Sequence, residues 1–335
     1  MSGHDIIVLG AWAGGVEALV KFVSGLPAAV FVVLHVPAQS PSMLPVILSR
    51  SGRLPALHPT DGTKIKQGSI YIAPPDHHMI LEQGRIRIVH GPKENRHRPA
   101  VDPLFRSAAS IYGPSVIGIV LTGALDDGTA GLLAIKRQGG IAIVQDPTDA
   151  YYSGMPQSAL EHVAVDYILP LASIAHKVVN LVATEVDKTM EHLVPEDMQN
   201  ELSLAKMELT RQKDDIRVGI PSQYSCPECG GVLWEIHDGR LLRFRCRVGH
   251  AFSIDSMMAE QSDAIEEAMW TALKVLEEQA SISRKMADQS RQNGHLLMAQ
   301  RFEERQKQAE KRVDLLIAAL QKGETAIPDA QEDEV

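Results

Sequence analysis

Three cysteines and a histidine stand at the spacings of a metal site: Cys226-x2-Cys229, sixteen residues, then Cys246-x3-His250. Thiolate and imidazole ligands at such intervals suit a tetrahedral Zn2+, and four protein ligands close its coordination shell, which favours a structural ion. His237 is the nearby substitute should His250 not serve. All cysteines of the chain lie between positions 226 and 246, which argues for metal over disulfides and for a reducing compartment. Cys226-Pro227-Glu228-Cys229-Gly230-Gly231 reads as a knuckle whose glycines let backbone amides approach the thiolates.

A second group of residues could do acid–base chemistry. Gly10-Ala11-Trp12-Ala13-Gly14 has the glycine spacing of a G-x-S-x-G nucleophile elbow, a sharp turn that projects one side chain above a sheet edge. The projecting residue here is Trp12, and the same glycines equally suit close packing of a strand on a helix. His35 ends the next apolar run, where a lone histidine also reads as structural. Leu121-Thr122-Gly123-Ala124-Leu125-Asp126-Asp127-Gly128 forms a third strand-end turn. A nucleophile position, a base and an acid at three strand ends follow the logic of a catalytic triad. A dinucleotide site is disfavoured, because G-x-G-x-x-G is unmatched and no acidic residue follows the second strand at Leu34-His35. A nucleotide-binding regulator would rest on fold analogy alone.

Short β-branched runs recur at Ile6–Leu9, Phe31–Leu34, Ser69–Ile72, Val116–Leu121, Ile141–Val144 and Tyr167–Leu169. Helical patterns separate several of them, at Gly15–Ser24, Met43–Arg50, Pro103–Ala109 and Ala130–Arg137. Strands without polar alternation, alternating with helices, predict a doubly wound, mostly parallel α/β sheet with helices on both faces, a Rossmann-like three-layer domain over residues 1–183. A hairpin is expected within Tyr71–Val89, turning at Glu82-Gln83-Gly84. All three chemical turns then fall on one carboxyl edge. Residues 184–221 read as a helical linker, 222–253 as a zinc-ribbon-like module with a hairpin at Asp238-Gly239, and 254–322 as a helical hairpin broken at Asn293-Gly294. The acidic end, 323–335, is expected to be disordered.

Over residues 4–183 the sequence resembles the catalytic domain of the CheB-type protein-glutamate methylesterases of bacterial chemotaxis. The resemblance rests on the first turn with Gly14-Gly15-Val16-Glu17-Ala18-Leu19, the strand ending at His35, Ile70-Tyr71-Ile72-Ala73-Pro74-Pro75-Asp76-His77-His78, and Arg98-Pro99-Ala100-Val101-Asp102-Pro103-Leu104-Phe105-Arg106-Ser107. It continues through Leu121-Thr122-Gly123 with Asp127-Gly128, Gln145-Asp146-Pro147 and Gly154-Met155-Pro156. It implies His35 as general base, Asp127 as the acid that orients it, with Asp126 the neighbouring candidate, and amides near Ala13 and Ala124 as oxyanion donors. It implies hydrolysis of γ-glutamyl methyl esters on cytoplasmic chemoreceptor helices, with no cofactor for that chemistry. Trp12 departs from the pattern, standing where the family carries its serine, so turnover is expected to be slight or absent. The rival expectation is a non-enzymatic receptor-binding or scaffolding protein. The family's receiver domain has no counterpart before the strand at residue 6, so regulation is expected from elsewhere.

Composition bounds these readings. Residues 1–184 hold 14 Lys+Arg and 13 Asp+Glu, whereas 185–335 hold 19 and 29, so neither half has the basic excess that nucleic acid requires. The grouping Arg240–Arg247 is assigned to a solvated face. No charged leader precedes Ile6 and no apolar run approaches bilayer-spanning length, which predicts a cytoplasmic protein without membrane insertion. The apolar stripe of the helical hairpin would pack on the zinc module or on itself, or bind another chemosensory protein or a second copy.

Overall fold

The computed structural model describes residues 4–12, 14–22, 28–36, 42–186, 194–206 and 219–323. In chain order the elements are β1 (Ile6–Ala11), α1 (Gly15–Phe22), β2 (Ala29–Leu34), α2 (Leu44–Ser51), β3 (Ala56–Leu57), β4 (Ile70–Ile72), β5 (His78–Glu82), β6 (Arg85–Val89), α3 (Val101–Tyr112), β7 (Val116–Val120), α4 (Thr129–Arg137), β8 (Ile141–Gln145), α5 (Gly154–His162), β9 (Tyr167–Leu169), α6 (Leu171–Val182), α7 (Glu196–Ala205), β10 (Ile220–Ser225), β11 (Val232–Asp238), β12 (Leu241–Cys246), β13 (Ala251–Ser253), α8 (Ile254–Gln292) and α9 (Leu296–Gly323).

Seven strands form one parallel sheet in the order β3-β4-β2-β1-β7-β8-β9. Successive side chains of a strand point to opposite faces, and both faces of β1 are apolar. Ile6 and Val8 join one core with Phe31, Leu104 and Leu132, while Ile7 and Leu9 join the other with Leu19, Leu48 and Ile174. That is the helix–sheet–helix arrangement predicted. The chain passes from β1 to β2, out to the edge at β3 and back to β4, then crosses to β7 and on to β8 and β9, so the sheet has its switch point between β1 and β7. The hairpin β5–β6 stands apart from the sheet and begins at His78, because Tyr71 belongs to β4.

Residues 220–253 form a four-stranded antiparallel sheet, β10-β11-β12-β13. It shares one compact unit, through Met257, with the seven-stranded domain and α7. The expectation that Arg240–Arg247 face solvent fails at Arg243 and Arg245, which are buried. Their guanidiniums meet carboxylates from distant elements. Arg245 Nη2 lies 3.0 Å from Glu94 and 2.9 Å from Glu201 on α7, and Arg243 forks onto both oxygens of Glu201 at 2.9 Å and also pairs with Asp238. Arg106 of α3 completes the cluster against Glu94 at 2.6 Å and Glu201 at 3.0 Å. The network therefore joins α3, α7 and β12.

Residues from Met258 onward form a second unit, described by itself. Gly294, at φ 78°, turns α8 into α9, and Arg284–Glu310 and Arg291–Glu303 pair across the two helices. Ala280, Ala287, Ala299 and Ala309 are buried. Beyond Gly323 the acidic tail expected at 323–335 lies outside the described residues.

Breaking a buried ion cluster by neutralising one member leaves the opposite charges uncompensated, typically at about 3–5 kcal/mol. Glu201 faces three guanidiniums. Glu201→Gln should therefore lower the unfolding free energy of the first unit, read by urea denaturation, by an amount in that range, whereas Glu196→Gln, at an exposed position on the same helix, should leave it nearly unchanged.

Candidate functional site

The ends of β1, β2 and β7 lie side by side because the parallel ladder runs on past them: Leu121 N donates to Gly10 O at 3.0 Å, Trp12 N to Thr122 O at 3.0 Å and His35 N to Ala11 O at 3.3 Å. At this edge His35 Nε2 and Asp127 Oδ2 are 2.7 Å apart, both side chains almost wholly buried. Among the described residues His35 Nδ1 has no hydrogen-bond partner. The Trp12 indole lies edge-on to the His35 ring, with centroids 5.5 Å apart. Trp12 itself does not have a positive φ; the chain bends instead at Gly14, φ 74°. Ala13 lies outside the described residues. Ala124 follows Gly123, where an added Cβ would come within 3.2 Å of Trp12 Cβ and 2.1 Å of Met155 Sδ, so this turn approaches Trp12 closely.

Asp127 is held by more than His35. Its carboxylate accepts Val101 N at 2.7 Å and Asp102 N at 3.3 Å, the first two amides of α3, and Asn95 Nδ2 at 3.0 Å. It thus caps a helix that has no side-chain cap of its own at Ala100. Asp102 returns the arrangement by accepting Gly131 N at 2.7 Å in the first turn of α4. Burial opposes ionisation of Asp127, but the hydrogen bond and charge of His35, the Val101 amide and Asn95 outweigh it and bring its pKa down to about 2. Burial, with the charge of Asp127, pushes Asp102 up to about 7. Asp126, the other candidate acid, points away to Ser253 Oγ, which donates to it at 2.7 Å, and burial raises it to about 7.

Sequence reasoning missed two members of this site. Residues 94–97 make a two-residue turn, with Glu94 N donating to His97 O at 3.2 Å and His97 N to Glu94 O at 2.9 Å; Asn95 at φ 48° and Arg96 at φ 74° both adopt left-handed backbone, the type I′ pattern. Asn95 points inward to Asp102 and Asp127. His97 stacks on His35 with centroids 3.8 Å apart and meets Trp12 at 4.9 Å. Burial and the neighbouring His35 bring its pKa down to about 3, so it stays a neutral imidazole at physiological pH. Asparagine at a left-handed turn position was the signal available.

The four metal-site candidates come together. The ligand atoms of Cys226, Cys229, Cys246 and His250 all lie within 4.8 Å of one another. Cys229 Sγ and Cys246 Sγ are 3.7 Å apart, and His250 Nδ1 is 3.7 Å from Cys226 Sγ and 3.6 Å from Cys246 Sγ. A tetrahedron with metal–sulfur bonds of about 2.3 Å has edges of about 3.8 Å, so the donors present fit such an ion. Gly230 N donates to Cys226 O and Cys226 N to Gly231 O, each at 2.7 Å, closing the knuckle. His237 stands apart, beside Glu235 at 3.6 Å.

The family described as CheB methylesterase matches residues 7–178. The chain belongs to that family. A Leptospira interrogans protein provisionally named a protein-glutamate methylesterase/protein-glutamine glutaminase is 36% identical over 183 residues, 53% of this chain and 95% of the relative. A protein-glutamate methylesterase/protein-glutamine glutaminase of Rhodospirillum rubrum is 37% identical over 182 residues, and there the match spans 50% of the relative's length. The crystal structure of the Thermotoga maritima CheB methylesterase catalytic domain superposes with a TM-score of 0.52 at 35% identity, covering 54% of this chain and all of that one. The CheB likeness thus covers the seven-stranded domain. Among the described residues no helix is long and apolar enough to cross a membrane.

Because the folded pKa of Asp126 is raised to about 7, above the usual carboxylate value of about 3.9, its contribution is present at low pH and is lost as pH rises from about 4 to 7. Asp126→Asn keeps an oxygen for Ser253 and removes the charge. It should raise Tm by several degrees at pH 8 and by much less at pH 4; equal effects at both pH values would contradict burial as the cause.

Proposed function

We propose that this protein is a CheB-type domain that engages glutamyl side chains of chemoreceptor helices and, as the chain stands, hydrolyses their methyl esters poorly or not at all. The observation that carries this reading is the buried His35–Asp127 pair at 2.7 Å with the Trp12 indole packed where a nucleophile would face the imidazole. The roles follow from that arrangement. His35 is the general base and Asp127 holds its ring and balances the imidazolium, while the family likeness assigns the oxyanion donors to amides near Ala13 and Ala124. The names of the relatives extend the substrate class to the side-chain amide of glutamine, since ester and amide hydrolysis share the tetrahedral oxyanion. Indole has no nucleophilic atom, and loss of a triad nucleophile removes several orders of magnitude in rate.

With Trp12→Ser the chemistry balances simply. The introduced hydroxyl attacks the γ-carbonyl carbon as His35 takes its proton, methanol leaves with that proton, and water then releases the glutamate by the same route. The packing of Trp12 against both His35 and His97 favours a second reading, in which the filled cleft binds receptor helices without chemistry and the protein serves as a scaffold. Methanol release from methylated receptor separates the two. Trp12→Ser should exceed the unaltered chain by at least about 1,000-fold, and comparable turnover in both would refute the blocked-site reading. Binding of methylated receptor by the unaltered chain without methanol release would favour the scaffold.

Zn2+ is the proposed occupant of Cys226, Cys229, Cys246 and His250, in a structural role, since four protein ligands leave no position for substrate. Protein purified without a histidine tag should contain about one zinc per chain, and Cys229→Ser should reduce it sharply. Zinc-free protein with its thiols reduced would remove the basis for this assignment.

A further inference from the structure

Asn95 connects the proposed catalytic acid to the cysteine-bearing sheet. Its side-chain amide is saturated. Nδ2 donates to Asp102 Oδ2 at 2.9 Å and Asp127 Oδ1 at 3.0 Å, while Oδ1 accepts Ser253 N at 3.2 Å and Ser256 Oγ at 3.3 Å. The ionised Asp127 carboxylate only accepts and the Ser253 backbone amide only donates, so the Asn95 amide has one satisfactory orientation. An amide with all four positions filled holds its carboxylate partner far more firmly than a solvated one.

The groups that fix Asn95 belong to the metal-site sheet. Ser253 and Ser256 cap each other at the start of α8, Ser253 N donating to Ser256 Oγ at 2.9 Å and Ser256 N to Ser253 Oγ at 3.0 Å, a reciprocal capping box. Asn95 N donates to Ala251 O at 2.8 Å, one residue beyond the ligand His250. Arg245, next to the ligand Cys246, donates from Nη1 to Gly249 O at 2.9 Å inside the second knuckle and from Nη2 to Glu94 at 3.0 Å. Gly249, at φ 110°, approaches Pro92 so closely that a Cβ would sit 2.8 Å from its Cγ. The loop between Cys246 and His250 therefore lands directly on residues 92–95.

We infer that Asn95 is a positioning residue for the His35–Asp127 pair and that the cysteine-bearing module, holding its metal, is what keeps Asn95 in place. Coordination of Cys246 and His250 fixes the loop that presents Ala251 and Ser253; Asn95 then fixes the plane of the Asp127 carboxylate, and Asp127 fixes the His35 ring. This rests on the reading of His35 and Asp127 as base and acid. It makes the module part of the catalytic framework, with Asp127 ordered from two sides: by the α3 amides, and by Asn95, which the module holds in turn.

The test uses the full chain carrying Trp12→Ser and reads the hydrogen-bonded Nε2–H proton of His35 by NMR alongside methanol release. Asn95→Gly keeps the left-handed turn while deleting the amide. It should abolish or displace the His35 Nε2–H signal and lower kcat roughly 10- to 100-fold with KM little changed. Chelation of the metal under reducing conditions should do the same, and Zn2+ should restore both. An unchanged His35 signal in Asn95→Gly, or after metal removal verified by thiol titration, would overturn the coupling even if turnover is high. A signal that responds in a protein without turnover would instead uphold the coupling and count against the esterase reading.

Discussion

A buried carboxylate without a guanidinium beside it must find its stabilisation in hydrogen-bond donors, and Asp127 is such a group. Its donors are the ring of His35, the amide of Asn95 and the first two backbone amides of α3. Each comes from a different place in the chain: the end of β2, the turn at 94–97 and a helix N-terminus. Asp102 then caps α4 through Gly131. The two helices that cover one face of the sheet thus exchange carboxylates at their N-termini, and the positive ends of two helix dipoles converge on the edge where β1, β2 and β7 stop. Moving Asp127 would uncap α3, release Asn95 and free His35 together.

The buried arginines extend this constraint outward. Arg106, Arg243 and Arg245 face Glu94, Glu201 and Asp238, with Arg137 reaching Asp238 from α4 at 2.9 Å. An ion cluster of this kind adds little net stability over an apolar core of the same shape, because desolvation offsets most of the attraction. What it supplies is register, since each fork accepts a partner in one geometry only. The antiparallel sheet at 220–253 is thereby seated in one position against residues 92–106, and Ser253 meets Asn95 as a consequence.

Five strands of the sheet are legible in the sequence because strands buried on both faces read as unbroken apolar runs, and the edge strand β9 reads as one too although Ile168 is exposed. The seventh, β3, is a two-residue bridge with no pattern to read. α5 has only a weak apolar pattern and carried no signal beyond the family motif Gly154-Met155-Pro156, whereas α6 has a legible stripe at Leu171, Ile174, Val178 and Leu181 that went unread. At the site, Trp12, His35 and Asp127 were found because each sits next to a glycine turn or a strand end. Asn95 and His97 lie in a polar stretch, Glu94–Arg98, whose inward orientation depends on partners 32 and 158 residues away. Arg243 and Arg245 were misread for the same reason. A basic run looks solvated until the carboxylates that bury it, Glu94 and Glu201, are brought beside it by the fold.

The persistence of His35 and Asp127 beside Trp12 has a physical explanation that does not require catalysis. None of the hydrogen bonds that hold Asp127 passes through residue 12, and the indole contributes apolar area against His35 and His97 where a serine would leave a polar opening. Removing Asp127 would cost the fold a helix cap and a buried network, none of which runs through residue 12. The His35–Asp127 pair is thus held in place by the fold itself, whatever side chain follows β1.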